Sequence, residues 1–223
     1  MPVYNELKTI LQAIKDVDKI TIPDKEVIVI DNCSTDGTRE LLRAQKEVGY
    51  RVIYNERNLV CGTFVVGLKA AQGEYLYVHH SDLEYDPTDA LTMLKVAEEG
   101  GYDLVLGSRL QNDRRSKWEI IKERPAYLAS IICTWLINRW YGKSFTDIIG
   151  TRLYRTASVK KVPITTTTQG FDFEHVSRMC RMGYKIAEVP IAYKARSSKE
   201  GKKVKPWHML NALFAMFRVR IFG

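Results

Sequence analysis

Near the middle of the chain an apolar run, Tyr75–Val78, gives way to His79, His80 and Ser81 and then to two acids spaced two apart, Asp82 and Glu84. Carboxylates this close repel one another unless a cation lies between them. In extended backbone, alternate side chains point the same way, about 6.5–7 Å apart along the strand. Both carboxylates then reach one hard cation, directly or through water. Mg²⁺ and Mn²⁺ prefer such oxygen ligands and keep coordination positions for phosphate oxygens. The plainer meaning of an isolated Asp-x-Glu is a solvated acidic turn; its place at the end of a strand favours the ion. His80 is open to three roles: a ligand, a hydrogen-bond partner of phosphate, or a packed ring. His79, on the other face, is expected to pack.

These residues need a scaffold, and the first half of the chain supplies an alternating one. Leu7 to Val17 has helical spacing, and "EVIVIDN" (26–32) is a short β-branched run ending in turn residues. "TDGTRELLRAQKEVG" reads as a turn and a helix, "YRVIYNE" as a strand, residues 65–71 as a helix, and "EYLYVHH" as a strand. "DPTDALTMLKVAEEGG" has helix-start and helix-stop chemistry, and "DLVLGSR" is a further strand. Strands alternating with helices predict a parallel sheet with right-handed crossovers, with ligands at the carboxyl ends of the strands. Those ends read Asp31-Asn32, His80-Ser81-Asp82 and Ser108-Arg109. In the second half, a helix is expected over about 122–141, then "FTDIIGTRLYR", a Thr run, "GFDFEHVSRMCRMGY", a strand "KIAEVPIAYKA" and a basic loop "RSSKEGKKVK". A last helix over 207–221 puts Leu210, Leu213, Phe214 and Phe217 on one face. That stripe is expected to pack on the protein, with the basic end of the helix turned to lipid.

The chain has 223 residues, 45% of them hydrophobic, enough for one large α/β domain. The net charge of +8 is unevenly placed. Residues 1–110 carry 12 Lys/Arg against 18 Asp/Glu, and residues 111–223 carry 22 against 8. A basic second half suits an anionic partner: nucleic acid, lipid headgroups or a phosphorylated substrate; a surface that only aids solubility is the bland alternative. The basic stretches lack a nucleic-acid recognition module, so no nucleic-acid partner is expected. Four scattered cysteines, no CxxC pair and no secretory signal point to reduced thiols in the cytoplasm. No apolar run reaches the roughly 18 residues of a membrane span.

"PVYNE", "VIVIDNCSTDGT", "SDLEYDP" and "DLVLGSR" stand in the order seen in family 2 glycosyltransferases of the GT-A fold, and "TDIIGTRLYR", "GFDFE" and "EVPIAYKARSSKEGKKV" resemble the branch that glycosylates polyprenyl phosphates, similar to dolichyl-phosphate mannosyl- and glucosyltransferases. The resemblance implies an α/β GT-A domain over 1–223, with a mostly parallel central sheet flanked by helices. Its halves would be 1–110 for the nucleotide sugar and 111–223 for the acceptor. It implies a metal-dependent, inverting transfer of a hexose from a GDP- or UDP-linked sugar to a polyprenyl phosphate, by a protein peripheral to the cytosolic membrane face.

Roles carry over by position. Pro2, Tyr4 and Glu6 would line the nucleobase pocket, and Asn32, at the second position of the usual Asp-Asp pair, would face the base. Asp82 would bind the metal (Mg²⁺ or Mn²⁺) and diphosphate, with Glu84 assisting. Arg109 would lie near the donor or acceptor phosphate, and Arg196 and Lys202 would close over the diphosphate or acceptor phosphate. Asp147 and Glu174 are alternatives for orienting the acceptor or serving as base; a phosphate acceptor, already anionic, needs little base. The sequence departs from the pattern in four places. Met1 directly precedes Pro2, so the N-terminal strand is expected to be missing. Asn32 and His80 stand where carboxylates are usual, and "NLVCGTFVVG" follows the Gly-rich segment only loosely. The alternatives are therefore transfer to a glycan hydroxyl, or a catalytically weakened nucleotide-sugar-binding protein.

Overall fold

The structure is a computed structural model that describes residues 1–45, 49–59, 61–123, 125, 127–165, 170–196 and 208–222. Lys202 and the rest of the basic loop from 197 to 207 lie outside the described residues.

The elements run β1 (Pro2–Val3), α1 (Ile10–Asp18), β2 (Ile28–Asp31), α2 (Thr38–Ala44), β3 (Arg51–Tyr54), α3 (Gly62–Ala70), β4 (Tyr75–Val78), α4 (Asp89–Gly100) and β5 (Leu104–Ser108). Then come α5 (Lys117–Glu123), α6 (Tyr127–Tyr141), β6 (Arg152–Arg155), α7 (Thr156–Val159), α8 (Phe171–Arg181), β7 (Ile186–Pro190) and α9 (His208–Phe222). The alternation expected of the first half is present. The expected helix over 122–141 is two helices, because Pro125 has no amide hydrogen to continue the ladder.

Strand pairing forms a parallel sheet in the order β1-β2-β3 and a mixed sheet in the order β4-β6-β5-β7. Among the strands of the described residues, β6 alone runs against its neighbours, inserted between β4 and β5. The N-terminal strand, expected to be missing, is a two-residue stub. Pro2 and Val3 pair with Ile30 and Asp31, and the Met1 amino group donates to Ile28 O at 2.8 Å. Its link to the end of β4 is a side-chain bond, Ser81 Oγ donating to Pro2 O at 2.9 Å.

Three apolar clusters hold these layers. α1 buries Ile10, Ala13 and Ile14, spaced as one helical face, against Val3, Val27 and Val29. α4 buries Met93 and Ala97 on Val105, Leu153 and Val189. The largest cluster joins Leu104, Leu106 and Tyr154 of the mixed sheet to α6, α8 and α9. Close approach fixes one glycine: a Cβ on Gly150 would lie 1.7 Å from the Gly107 carbonyl oxygen, so the loop before β6 reaches the end of β5 only with hydrogen at that position.

α9 packs through Ala212, Ala215, Met216 and Val219, all buried, while Leu210, Phe214 and Phe217 are exposed. Of the stripe expected to pack, Leu213 does pack on the large cluster, while its other three members face outward because the small-residue face allows closer approach to α8. Trp118, Trp135, Ile221 and Phe222 are exposed as well. Among the described residues no helix is long and apolar enough to cross a membrane.

In the large cluster His175 is buried among the rings of Phe64, Tyr154 and Phe171, at centroid distances of 5.3, 5.3 and 5.4 Å. Neither ring nitrogen meets a hydrogen-bond partner among the described residues. Burial pushes its pKa down to about 3. A histidine whose folded pKa lies below its unfolded value of about 6.5 withdraws stability as pH falls below that value. The wild-type unfolding free energy should therefore drop more steeply than that of His175→Leu between pH 6.5 and 4, by about 1.4 kcal/mol per pH unit. Urea midpoints across that range read the difference, and parallel curves would refute it.

Candidate functional site

The carboxyl ends of β1, β2, β4 and β5 carry the polar residues singled out in the sequence. The loop after β1 is knitted to the turn after β2: Asn5 N donates to Ser34 Oγ at 2.9 Å, Thr35 N to Asn5 Oδ1 at 2.8 Å, and Glu6 N to Thr38 Oγ1 at 3.0 Å. These bonds fix Tyr4 and Glu6 relative to Asp31 and Asn32. Asp31 is fully buried and receives Arg39 Nε at 2.6 Å. Asn32 donates to Asn58 Oδ1 and Leu59 O at 2.8 and 3.0 Å and accepts from Asn55 Nδ2 and Leu59 N at 3.1 and 3.2 Å. Its amide thus fastens the loop after β3.

Asp82 and Glu84 are brought together by a turn, in place of the expected strand alternation. Asp82 Oδ1 accepts the Glu84 amide at 3.1 Å across Leu83, whose φ of 61° lies in the left-handed region. A leucine there is strained. Both carboxylates converge on a cation, and that cation is the guanidinium of Arg196. Its Nη2 lies 3.2 Å from Asp82 Oδ2, its Nε 3.6 Å from Glu84 Oε1, and its Nη1 3.1 Å from Glu6 Oε2. Nη2 also donates to Glu6 Oε1 at 3.3 Å. Burial works against the guanidinium's charge, but bonding to Glu6 and the charges of Asp82, Glu6 and Glu84 raise its pKa above the ordinary value. Glu6, expected in a nucleobase pocket, thus stands with Asp82 and Glu84.

Carboxylate oxygens are the kind of donor a hard divalent ion takes, but Glu6, Asp82 and Glu84 are spread around the Arg196 guanidinium, each on its nitrogens. Among the described residues no three His, Cys, Asp or Glu side chains are arranged to hold a metal by themselves.

His79 packs as expected, stacked on Tyr77, and burial pushes its pKa down to about 4. His80 stacks on Tyr85 at 4.9 Å, the packed-ring role among the three left open.

Arg109 and Asp147 form a buried fork: Nε to Oδ2 at 2.6 Å and Nη2 to Oδ1 at 3.0 Å. Asp147 also accepts Ser130 Oγ at 2.8 Å, and its own amide is fixed by Glu188 at 2.8 Å. Burial alone would raise the Asp147 pKa, but the Arg109 charge and these bonds hold it below the usual carboxylate range. The Arg109 guanidinium lies between the rings of Tyr127 and Tyr193, at 4.8 and 5.3 Å. A cavity of about 110 Å³ beside it is lined by Arg115 and Asp113. Glu174 is placed apart from this network, between α8 and α9, where it pairs with Arg178 and Arg218.

Sequence reasoning passed over Tyr193. Its hydroxyl donates to Glu84 Oε2 at 2.8 Å while its ring covers Arg109, so it joins the two charged clusters. The signal was an aromatic just past β7, three residues before Arg196.

A model described as "Glycosyl transferase family 2" matches residues 1–162. A dolichyl-phosphate hexose transferase of Haloferax volcanii is 30% identical over 200 residues, covering 89% of this chain and 83% of that protein. An undecaprenyl-phosphate mannosyltransferase of Micrococcus luteus is 25% identical over 216 residues, covering 91% and 85%. Glycosyltransferase AglJ of H. volcanii is 29% identical over 216 residues; the match takes in 92% of this chain but only 65% of the relative's length. Among solved structures, glucosyl-3-phosphoglycerate synthase from Mycobacterium tuberculosis, in complex with Mn²⁺, UDP-glucose and phosphoglyceric acid, superposes with a TM-score of 0.70 at 18% identity, over 98% of this chain and 77% of that one. Residues 1–349 of Staphylococcus aureus TarS, in complex with UDP-GlcNAc, give 0.63 at 17%, over 100% and 65%. These likenesses show the GT-A fold.

The buried fork makes a stability prediction. A carboxylate whose folded pKa is depressed stabilises above its unfolded value, near 4, and loses that contribution as pH falls through the folded value. Asp147→Asn should cost about 3 kcal/mol at pH 7, because it strands Arg109. The gap to wild type should narrow below about pH 4, which denaturant titrations from pH 7 to 3 would reveal; a constant gap would exclude a charged Asp147.

Proposed function

Because the chain belongs to the family 2 glycosyltransferases, we propose that it transfers a hexose, with inversion, from a GDP- or UDP-linked sugar to a polyprenyl phosphate. The observation that carries this reading is the convergence of Glu6, Asp82 and Glu84 on one cation position at the strand ends, with Arg109 fixed on the other side of Tyr193. The carboxylates provide a seat for the ion of a metal–diphosphate, and Arg109 provides a cation for a phosphate acceptor. Two of the relatives act, by name, on undecaprenyl phosphate and dolichyl phosphate.

In this reading residues 1–110 take up the nucleotide sugar and residues 111–223 the acceptor, within one domain. Pro2, Tyr4 and the loop secured by Asn32 border the base. Asp82 and Glu84 are the carboxylates that would meet a Mg²⁺ or Mn²⁺ carried by the diphosphate, in keeping with the Mn²⁺ and UDP of a fold neighbour. The chemistry such an ion supplies is neutralisation of the departing diphosphate. Arg196 adds positive charge on the same side, and Lys202, outside the described residues, is assigned to the diphosphate or acceptor phosphate by the family resemblance alone. Arg109 and Arg115, which line the small cavity, receive the acceptor phosphate. A phosphate oxygen is already anionic near neutral pH, so the attacking atom needs no proton removed. Asp147, bound in two bonds to Arg109, therefore positions that arginine and does not act as a base. Glu174 does the same for α8 and α9, away from the reacting atoms.

A polyprenyl acceptor lies in a bilayer. The exposed Trp135, Phe214, Phe217 and Phe222, with Arg139, Arg218 and Arg220 on the same helices, suit contact with the cytosolic membrane face.

Purified chain added to membranes with a panel of radiolabelled GDP- and UDP-sugars should produce label that extracts into organic solvent with one donor. Asp82→Asn should lower that product about a hundredfold, and Asp147→Asn should not change its pH profile as loss of a base would. Label that stays with water-soluble glycan and disappears when Asp147 and Glu174 are neutralised would establish a hydroxyl acceptor instead.

A further inference from the structure

Resting on the phosphate-acceptor reading above, we propose that Glu188 is a positioning residue for the acceptor: from β7 it holds the Thr146–Asp147 turn, and through Asp147 it sets where the Arg109 guanidinium meets the acceptor phosphate.

The turn has no helix or strand to hold it. α6 ends at Tyr141 and β6 begins at Arg152, so the amides between them find their partners elsewhere. At Phe145 the partner is α6: Asn138 Nδ2 donates to Phe145 O at 2.7 Å, and Phe145 N donates to Asn138 Oδ1 at 2.9 Å. The next two amides both donate to one carboxylate of the sheet. Thr146 N lies 2.9 Å from each Glu188 oxygen, and Asp147 N lies 2.8 Å from Oε1. Amide bonds to an ionised acceptor are stronger than those to a neutral one.

Strand register puts Glu188 within reach. β7 runs parallel to β5, with Glu188 opposite Leu106 and Pro190 opposite Ser108, the residue before Arg109. A hydroxyl pair closes the arrangement: Ser108 Oγ and Thr146 Oγ1 are 2.6 Å apart. The same Ser108 oxygen accepts the amides of Leu110 and Gln111 at 3.1 and 3.0 Å. Arg109 is thus mounted at two points, its backbone in the turn after β5 and its guanidinium on Asp147. Glu188 is the hold of the sheet on the second point.

What this hold supplies is placement. The bonds to Asp147 from Arg109, Ser130 and Ile149 all end on its carboxylate, whereas its backbone amide goes to Glu188. Without Glu188 the fork stays paired but shifts with its loop. A guanidinium takes phosphate oxygens through paired, directional bonds, so its affinity follows its placement closely. Reach therefore matters more than charge at position 188. Glu188 Oε1 alone accepts both amides, and the amide oxygen of a glutamine serves in its place. An aspartate keeps the charge but draws the oxygens back by about 1.5 Å, beyond hydrogen-bond range.

Steady-state kinetics with a short-chain isoprenyl phosphate and the active sugar nucleotide test this. Glu188→Asp and Glu188→Leu should raise the acceptor KM about tenfold and leave the donor KM unchanged, while Glu188→Gln should restore the wild-type acceptor KM. In an Arg109→Gln background, Glu188→Asp should add nothing, because it acts through Arg109. Should Glu188→Leu fail to fold, the contrast between the aspartate and glutamine variants decides the matter. An unchanged acceptor KM in Glu188→Asp, an equal rise in both KM values, an equal loss in Glu188→Gln, or a further loss in the Arg109→Gln background would each overturn the positioning role and leave the phosphate-acceptor reading in place. No product from wild type with the isoprenyl phosphate, or an unchanged acceptor KM in Arg109→Gln, would remove that reading and the proposal with it.

Discussion

The ion pairs of Arg196 with Glu6, Asp82 and Glu84 are the constraint on which this end of the molecule depends. They join residues 190 positions apart in sequence, one from the loop after the first strand, two from the turn after the fourth, and one from beyond the last strand. Three partly buried carboxylates at such range are unstable without a cation, since each has lost part of its hydration and feels the others through a medium of low dielectric. The fold brings them together because parallel strands all finish on the same side, and every connection that leaves that side starts with whatever the strand end carries. A cation is then a requirement of the fold as much as of the chemistry.

Tyr193 extends this constraint across the molecule. Its hydroxyl is committed to Glu84, and its ring is committed to Arg109 and to Tyr85 at 5.0 Å. Arg109 in turn is held by Asp147, and Asp147 by Ser130 of α6 and the Glu188 carboxylate of β7. Charge, hydrogen bond and ring contact follow one another without a gap from the acidic turn to the basic half. Each interaction is ordinary in strength. Together they set the spacing between the seat of a donor's diphosphate and the seat of an acceptor's phosphate, a distance on which transfer between two bound molecules depends.

How much of this was legible in the sequence follows from the range of each interaction. The alternation of helix and strand up to Ser108 is local and was readable, as were the polar strand ends. Three features were not. The antiparallel insertion of β6 between β4 and β5 depends on pairings such as Leu76 with Tyr154, nearly eighty residues apart, and "RLYR" has no local mark of its direction. The outward placement of Leu210, Phe214 and Phe217 on α9 has no local mark, because Leu and Phe look like core. Ala212 and Ala215 pack more closely, and a large residue at those positions would hold α9 away from Gly170, whose own Cβ would meet Asn211 O at 2.6 Å. Finally, the Asp-x-Glu spacing fits an extended strand, and the left-handed Leu83 gives no sequence signal, since leucine is not a residue that favours positive φ. The need for a cation was still correctly inferred from the two acids. That the cation is an arginine far along the chain was beyond any local reading.

The departures at Asn32 and His80 take on a physical sense beside this arrangement. Each places a neutral group where the family resemblance leads one to expect a carboxylate. Asp31 is already neutralised by Arg39, and Asn32, with both amide ends bonded to the 55–59 loop, secures structure that a carboxylate, lacking donors, could not secure in the same way. His80, stacked on Tyr85, adds no negative charge beside Asp82. A fourth carboxylate at that position would add a further repulsion that one guanidinium could not offset. A neutral ring at His80 therefore leaves Arg196 facing Glu6, Asp82 and Glu84 without a further acid beside them. With the guanidinium in place, each of those three carboxylates has a cationic partner.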